Sequence, residues 1–218
     1  MASSLERRTP RVLDPASWSR REAFELFRSF AFPYVNVTAD VDVTRLREAH
    51  RAAGITFTVA VVHVLCAAAN AVPAFRRRLR GAEAVEYDVV DPSITVLGEG
   101  DVFRFATLRF DPDVRQFAAD AAHRIERAKQ SPRLWSEEDR DDLLYMTAMP
   151  WVAFTGLVHP VPLDPPDSVP RIAWGRRREA NGRVLLPLNV QAHHALVDGI
   201  DVGRFFAEAE DRAGGTFG

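Results

Sequence analysis

Residues 189–206, NVQAHHALVDGIDVGRFF, place two histidines side by side, an aspartate four residues after the second, and a glycine directly after that aspartate. A neutral imidazole at a strand end can take a proton from a hydroxyl, which is general-base chemistry. The same residues fit two other uses. Two hydrogen-bonded histidines and a helix-capping aspartate would be purely structural. His193, His194 and Asp198 would form a metal site only if their side chains converged. Side chains alternate faces along a strand, so adjacent imidazoles point apart, and no further His/Glu cluster lies nearby in sequence. No metal is expected. Composition and spacing do not choose between the structural reading and the catalytic one.

Elements must position these residues. RVLLPLNVQAHH reads as the second strand of a hairpin whose tip is Asn181-Gly182, and Asp198-Gly199 open the last helix. WSRREAFELFRSF, with apolar residues at near-helical spacing, predicts a helix capped by Ser17 or Ser19 and stopped by Pro33. Residues 34–44 alternate as a strand. Thr44 opens a helix that Gly54 closes, and residues 56–72 are apolar on nearly every face, as in a buried helix. A short basic helix is expected to continue through 74–81. Three strands follow in AVEYDVV, SITVLGE and VFRFATLRF. Residues 111–130 form an amphipathic helix with Asp111 as cap and Pro112 in the first turn. Residues 143–159 read as a strand pair or a long bent strand, and 160–170, with five prolines, as loop. Residues 1–16 look like a loose lead-in. The pattern predicts an α/β fold over one domain, 1–218.

The bulk numbers exclude several function classes. A net charge of −2 gives no general attraction to nucleic acid or to an anionic membrane. No apolar run reaches the length of a membrane span, and the N-terminus carries no signal-peptide core, so a cytoplasmic protein is expected. The single cysteine, Cys66, rules out an intrachain disulfide and sits in an apolar run as an inert thiol.

The motif HHALVDG followed by IDVGRF resembles the C-terminal signature of the chloramphenicol acetyltransferase family. Dihydrolipoyl acyltransferases and peptide-synthetase condensation domains share only the looser His-His-x-x-x-Asp-Gly. WSRREAFELF, VDVTRL, VVHVLCAAANAVPAFRRRL, AMPWVAFTG and LLPLNVQAHHALVDG are similar to further segments of the acetyltransferases, in family order from Trp18 to Phe206. The resemblance implies a two-layer sandwich, a mixed β-sheet with helices on one face. It implies direct acetyl transfer from acetyl-CoA, a co-substrate and not a bound cofactor, to a hydroxyl of chloramphenicol or a similar small molecule. His194 is then the general base, its other nitrogen held by its own backbone carbonyl. Asp198 braces the site by pairing with Arg20, a pair worth about 3–5 kcal/mol to break from one side if buried. Thr147 replaces a family serine as donor to the oxyanion; a threonine merely satisfied within a strand is the alternative.

The acceptor pocket matches less well. Its positions fall at Phe27, Phe103, Leu157, His159 and Arg171, and a family threonine becomes Ala173. Arg171 in an apolar pocket must point to solvent or meet an anionic or strongly polar acceptor. His159 reads more simply as an exposed strand-end residue. Trp151, Arg176 and Arg177 are candidates for the CoA side, and a solvated hairpin face would explain the two arginines as well. The resemblance further implies a homotrimer with active sites between subunits, the 173–193 hairpin edge extending a neighbour's sheet. Alternatives are acyl transfer to another hydroxylated metabolite and a catalytically weak trimeric ligand-binding homologue.

Overall fold

Alternation along one strand organises the molecule. In Arg183–His193 (β10), Val184, Leu186, Leu188, Val190 and Ala192 face one way, and Asn189, Gln191 and His193 face the other. The computed structural model describes residues 8–135 and 140–215. Its elements run Arg11–Val12 (β1), Arg21–Phe27 (α1), Tyr34–Asp42 (β2), Thr44–Ala52 (α2), Phe57–Ala71 (α3), Arg77–Arg80 (β3), Glu83–Glu86 (β4), Asp91–Leu97 (β5), Phe103–Thr107 (β6), Val114–Lys129 (α4), Leu143–Met149 (β7), Arg171–Gly175 (β8), Arg178–Ala180 (β9), β10 and Gly199–Gly215 (α5).

The main sheet is mixed, in the order β2-β10-β8-β7-β5-β6, with β9 also paired to β10. β7 lies parallel to both β5 and β8, and the other pairings are antiparallel. The register stacks like with like. Val37, Val190, Ile172 and Met146 line one face and join the core with the helices. On the other face Asn36, Gln191, Arg171 and Tyr145 form one row, and Thr38, Asn189, Ala173 and Thr147 a second. The expected mixed α/β sheet is therefore present, and its polar side is the one free for chemistry.

The helices obey their sequence signals. Thr56 caps α3, its hydroxyl accepting from Val59 N–H, and Val59 to Ala69 of that helix are buried. Cys66 lies inside it fully buried, and burial pushes its thiol pKa far above the usual range. Two caps differ from expectation. Asp113, not Asp111, caps α4 through Arg115 and Gln116 N–H. α1 has Arg20 at its N-cap with no side-chain bond, and Ser17 turns back to Asp14. Arg20 is engaged elsewhere, as shown below.

Other differences have plain causes. Of the basic stretch, a 3-10 turn holds Pro73–Arg76, but Arg77–Arg80 is strand β3, because period-2 pairing sets Arg77 opposite Glu86 and Arg80 opposite Glu83 and turns Arg78 inward. The lead-in is ordered from residue 8: β1 pairs with β4 and Arg8 reaches Asp91 at 2.8 Å, while residues 1–7 lie outside the described part. Only 143–149 of the 143–159 segment is strand. Pro150 and Trp151 turn the chain, and Val152 carbonyl then bonds Arg176 N–H at 2.8 Å. Gly175 permits that approach, since a Cβ there would meet the Val152 oxygen at 2.6 Å. Within the 173–193 hairpin, β8 lies between β10 and β7, and β9 pairs with β10 alone.

Arg78 ties the small sheet to the large one. It is fully buried and donates to the carbonyls of Phe75, Arg77, Asp141 and Leu143. Burial pushes its pKa down to about 10, so it stays charged at neutral pH. Removing it would strand four carbonyls. We expect Arg78→Ala to lower the unfolding free energy by about 3 kcal/mol or more, read from urea midpoints.

Candidate active site

The turn after β10 aims the second histidine. His194 N–H donates to Pro33 carbonyl at 2.7 Å, and Leu196 and Val197 N–H return to His193 carbonyl at 2.9 and 3.0 Å. That fold-back brings Val197 carbonyl to 3.0 Å from His194 Nδ1. A carbonyl only accepts, so Nδ1 carries a proton, and in the neutral form of such a ring Nε2 is a bare lone pair. The tautomer-fixing carbonyl is thus that of Val197. His194's own carbonyl, the expected partner, is taken by Arg20 Nη2 at 2.8 Å. Arg20 Nη1 donates to Asp198, the expected pair. Burial raises the Asp198 carboxyl, but the Arg20 bond and charge outweigh it and hold its pKa below the usual range. Asp198 is 45% exposed in the single chain, so this pair serves orientation more than stability. Phe27 stacks on the imidazole, ring centroids 3.9 Å apart at 27°.

His193 points the other way, as alternation requires. It is 1% exposed, its ring meets Tyr34 edge-on, and its Nδ1 accepts from Ala195 N–H. Burial pushes its pKa from 6.5 down to about 4.

A second group of residues lines a cavity of about 1140 Å³ on the polar face of the sheet. Thr147, Phe103, His159, Arg171 and Trp151 all border it, and His194, Phe27 and Leu157 do not. Leu157 contributes its backbone carbonyl to the Asn36 and Asn189 amides instead. Arg171 neither points to solvent nor waits for an anion. It is 8% exposed, paired with Asp167 at 2.6 Å, bonded to Val169 carbonyl at 3.0 Å, and laid over the Tyr145 ring. Trp151 stands 68% exposed at the cavity rim. Arg176 and Arg177 are exposed outside it, Arg177 lying 4.9 Å from the Phe57 ring centre. Among the described residues no His/Cys/Asp/Glu group could hold a metal, and no helix is long and apolar enough to cross a membrane.

Sequence reasoning missed Thr95. Its hydroxyl lies 2.6 Å from that of Thr147, on the neighbouring strand. If Thr95 donates, the Thr147 proton is free for a third group and polarised by the chain of bonds. Asp167, Tyr145 and Trp135, all at the cavity, were also missed; strand alternation offered a signal only for Tyr145, which shares a face of β7 with Thr147.

A family model described as chloramphenicol acetyltransferase matches residues 10–210. The chain belongs to the chloramphenicol acetyltransferase family. It is 30% identical over 195 residues to chloramphenicol acetyltransferase 2 of Escherichia coli, spanning 88% of this chain and 92% of that one. With the chloramphenicol acetyltransferase of a Klebsiella species it shares 31% over 204 residues, 91% of each. A solved chloramphenicol acetyltransferase superposes with a TM-score of 0.88 at 24% identity, over 93% of this chain and 99% of that one. The fold extends to a dihydrolipoamide acetyltransferase of Azotobacter vinelandii, TM-score 0.67 at 18% identity, over 89% and 86%.

His193 gives this site an acid limit. The unfolded chain binds the proton below about 6.5, the folded protein only near 4, so in that window the unfolded state holds more protons and stability falls as pH falls. The buried His63 and half-buried His159, also held down first by burial, act in the same direction. Urea unfolding between pH 7 and 4.5 should show a loss that His193→Gln reduces by up to roughly 3 kcal/mol.

Proposed function

We propose that the protein is an acetyl-CoA-dependent O-acetyltransferase acting on chloramphenicol or a similar hydroxylated small molecule, with His194 as general base. The observation that carries this is the His194 tautomer: Val197 carbonyl holds Nδ1–H, and Nε2 is left to accept a proton. Nε2 takes the proton of the acceptor hydroxyl as its oxygen attacks the thioester carbonyl. The carbonyl oxygen becomes an oxyanion that accepts from the Thr147 hydroxyl. Collapse breaks the C–S bond, and the CoA thiolate recovers the proton from His194 Nε2. The products are an acetyl ester and free CoA; no acetyl-enzyme forms, and no bound cofactor is used. Arg20, Asp198 and Phe27 keep the imidazole in place through these steps.

A homotrimer completes the reading. His194 with Phe27 stands apart from the cavity that holds Thr147, Phe103, His159 and Arg171. We assign the base to one subunit and the acceptor cavity to its neighbour. Leu26, Phe30 and Phe32, exposed near His194, and Trp151, Val152 and Val158 near the cavity supply the apolar surface that such contact needs. Trp151 stays with the CoA side of the proposal. Arg176 and Arg177 are weaker candidates, since both are exposed away from the cavity. The cytoplasm, with its acetyl-CoA, is the compartment this activity requires.

Thiol release from acetyl-CoA with chloramphenicol tests the reading, and absence of release with any hydroxylated acceptor would overturn it. His194→Ala should abolish turnover with the fold intact. Thr147→Val should lower kcat about a hundredfold, and Thr147→Ser should restore it. Mixed trimers of His194→Ala and Thr147→Val chains should regain activity at about a quarter of their sites, because a quarter pair an intact base with an intact donor. No recovery on mixing would place both groups in one chain.

A further inference from the structure

His159 was read from sequence as a residue exposed at a strand end or one lining the pocket. In the fold its imidazole is oriented by a chain of side-chain amides. The orientation begins at the backbone. His159 N–H donates to Gln191 Oε1 at 2.9 Å, which settles which end of that amide is oxygen. Gln191 Oε1 also accepts from Asn36 Nδ2 at 2.8 Å, and the same Nδ2 donates to Leu157 carbonyl at 2.8 Å. Asn36 Oδ1 is then the atom that accepts from Asn189 Nδ2 at 2.7 Å. Asn189 Nδ2 further donates to Thr38 Oγ1 at 2.8 Å. What remains of Asn189 is its oxygen, 3.0 Å from His159 Nε2. An amide oxygen has no proton to give, so Nε2 carries one.

The consequence lies on the other side of the ring. A neutral imidazole protonated at Nε2 has an acceptor lone pair at Nδ1. Burial holds His159 in the neutral form, and the Arg171 charge acts in the same sense. Nδ1 has no hydrogen-bond partner among the described residues, and it is not enclosed. His159 borders the same cavity as Thr147. The nearby cation makes no demand on a guest, because Arg171 is already paired with Asp167. The wall thus offers a fixed acceptor beside an internally neutralised ion pair.

We propose that His159 Nδ1 accepts a hydrogen bond from a donor on the acyl acceptor other than the hydroxyl that is acylated. The acceptor is then an uncharged molecule carrying at least a second hydroxyl or an amide N–H near its reacting group. The inference rests on the acetyltransferase reading above and adds a specificity-determining residue to it.

The test uses matched pairs of uncharged acceptors, chloramphenicol and small aliphatic diols, each beside the methyl ether of its second hydroxyl. The wild-type enzyme should favour the donor-bearing member by up to about tenfold in kcat/KM, mainly through KM. In His159→Leu that ratio should fall to about one, whatever the variant's overall rate; His159→Gln, which keeps an acceptor, should recover part of it. An unchanged ratio in His159→Leu would overturn the proposal. Calorimetric binding of the same pairs without acetyl-CoA gives a reading independent of turnover. A binding preference that His159→Leu removes, with no acetyl transfer to any acceptor, would sink the enzymatic reading and keep this one. Failure of every uncharged pair to bind would sink the inference. Nitrogen-15 NMR of wild-type protein checks the ring directly, since a proton on Nδ1 in place of Nε2 would also overturn it.

Discussion

Asn189 stands fully buried at the centre of the sheet with both ends of its amide in use. A buried amide left unpaired costs about 1–3 kcal/mol, so its position is tolerable only if β2, the 157–159 segment and the His159 ring all stay where they are. That requirement runs outward. β2 must hold its register with β10 over nine residue pairs for Asn36 and Thr38 to meet Asn189. The segment after β7 must return across the sheet for Leu157 and His159 to meet it. A one-residue slip of β10 would turn the amide into the helix layer and a valine into the cavity.

The same two-faced sheet sets how the polar groups of the candidate site are held. These groups sit at a strand end and on the polar face, each oriented by a hydrogen bond to backbone or side chain. His194 gives Nδ1–H to a carbonyl and keeps Nε2 free; Thr147 shares its hydroxyl with Thr95. Neither arrangement needs an unusual charge. The ionic groups nearby are neutralised within the chain, Arg20 by Asp198 and Arg171 by Asp167, which keeps the field at the site small. A cavity walled this way suits neutral reactants that develop charge only in the transition state.

Much of this was legible in the sequence, and the reason is local. Apolar periodicity marked α3 and α4, Asn181-Gly182 marked the hairpin, and HHALVDG marked the turn that carries His194. Short-range patterns failed where a distant partner overrode them. The arginine-rich 77–80 segment is a strand because glutamates on β4 pair with it, and Arg20, whose guanidinium has no acceptor with which to cap its helix, binds a turn 178 residues away. Thr95 and Asp167 could not be singled out, since threonine on a strand and aspartate in a proline-rich loop are ordinary until the fold sets them beside Thr147 and Arg171.

The sequence by itself determined the family, the succession of elements, the Arg20–Asp198 pair through the family resemblance, and the opposed directions of His193 and His194 through the two-residue period of a strand. Only the tertiary structure decided which carbonyl holds the His194 tautomer, that Arg171 is paired internally, and that His159 borders the cavity with its Nε2 held by Asn189. Hydrogen bonds reach about 3 Å and join residues far apart in the chain, so their partners exist only once the strands have found their register.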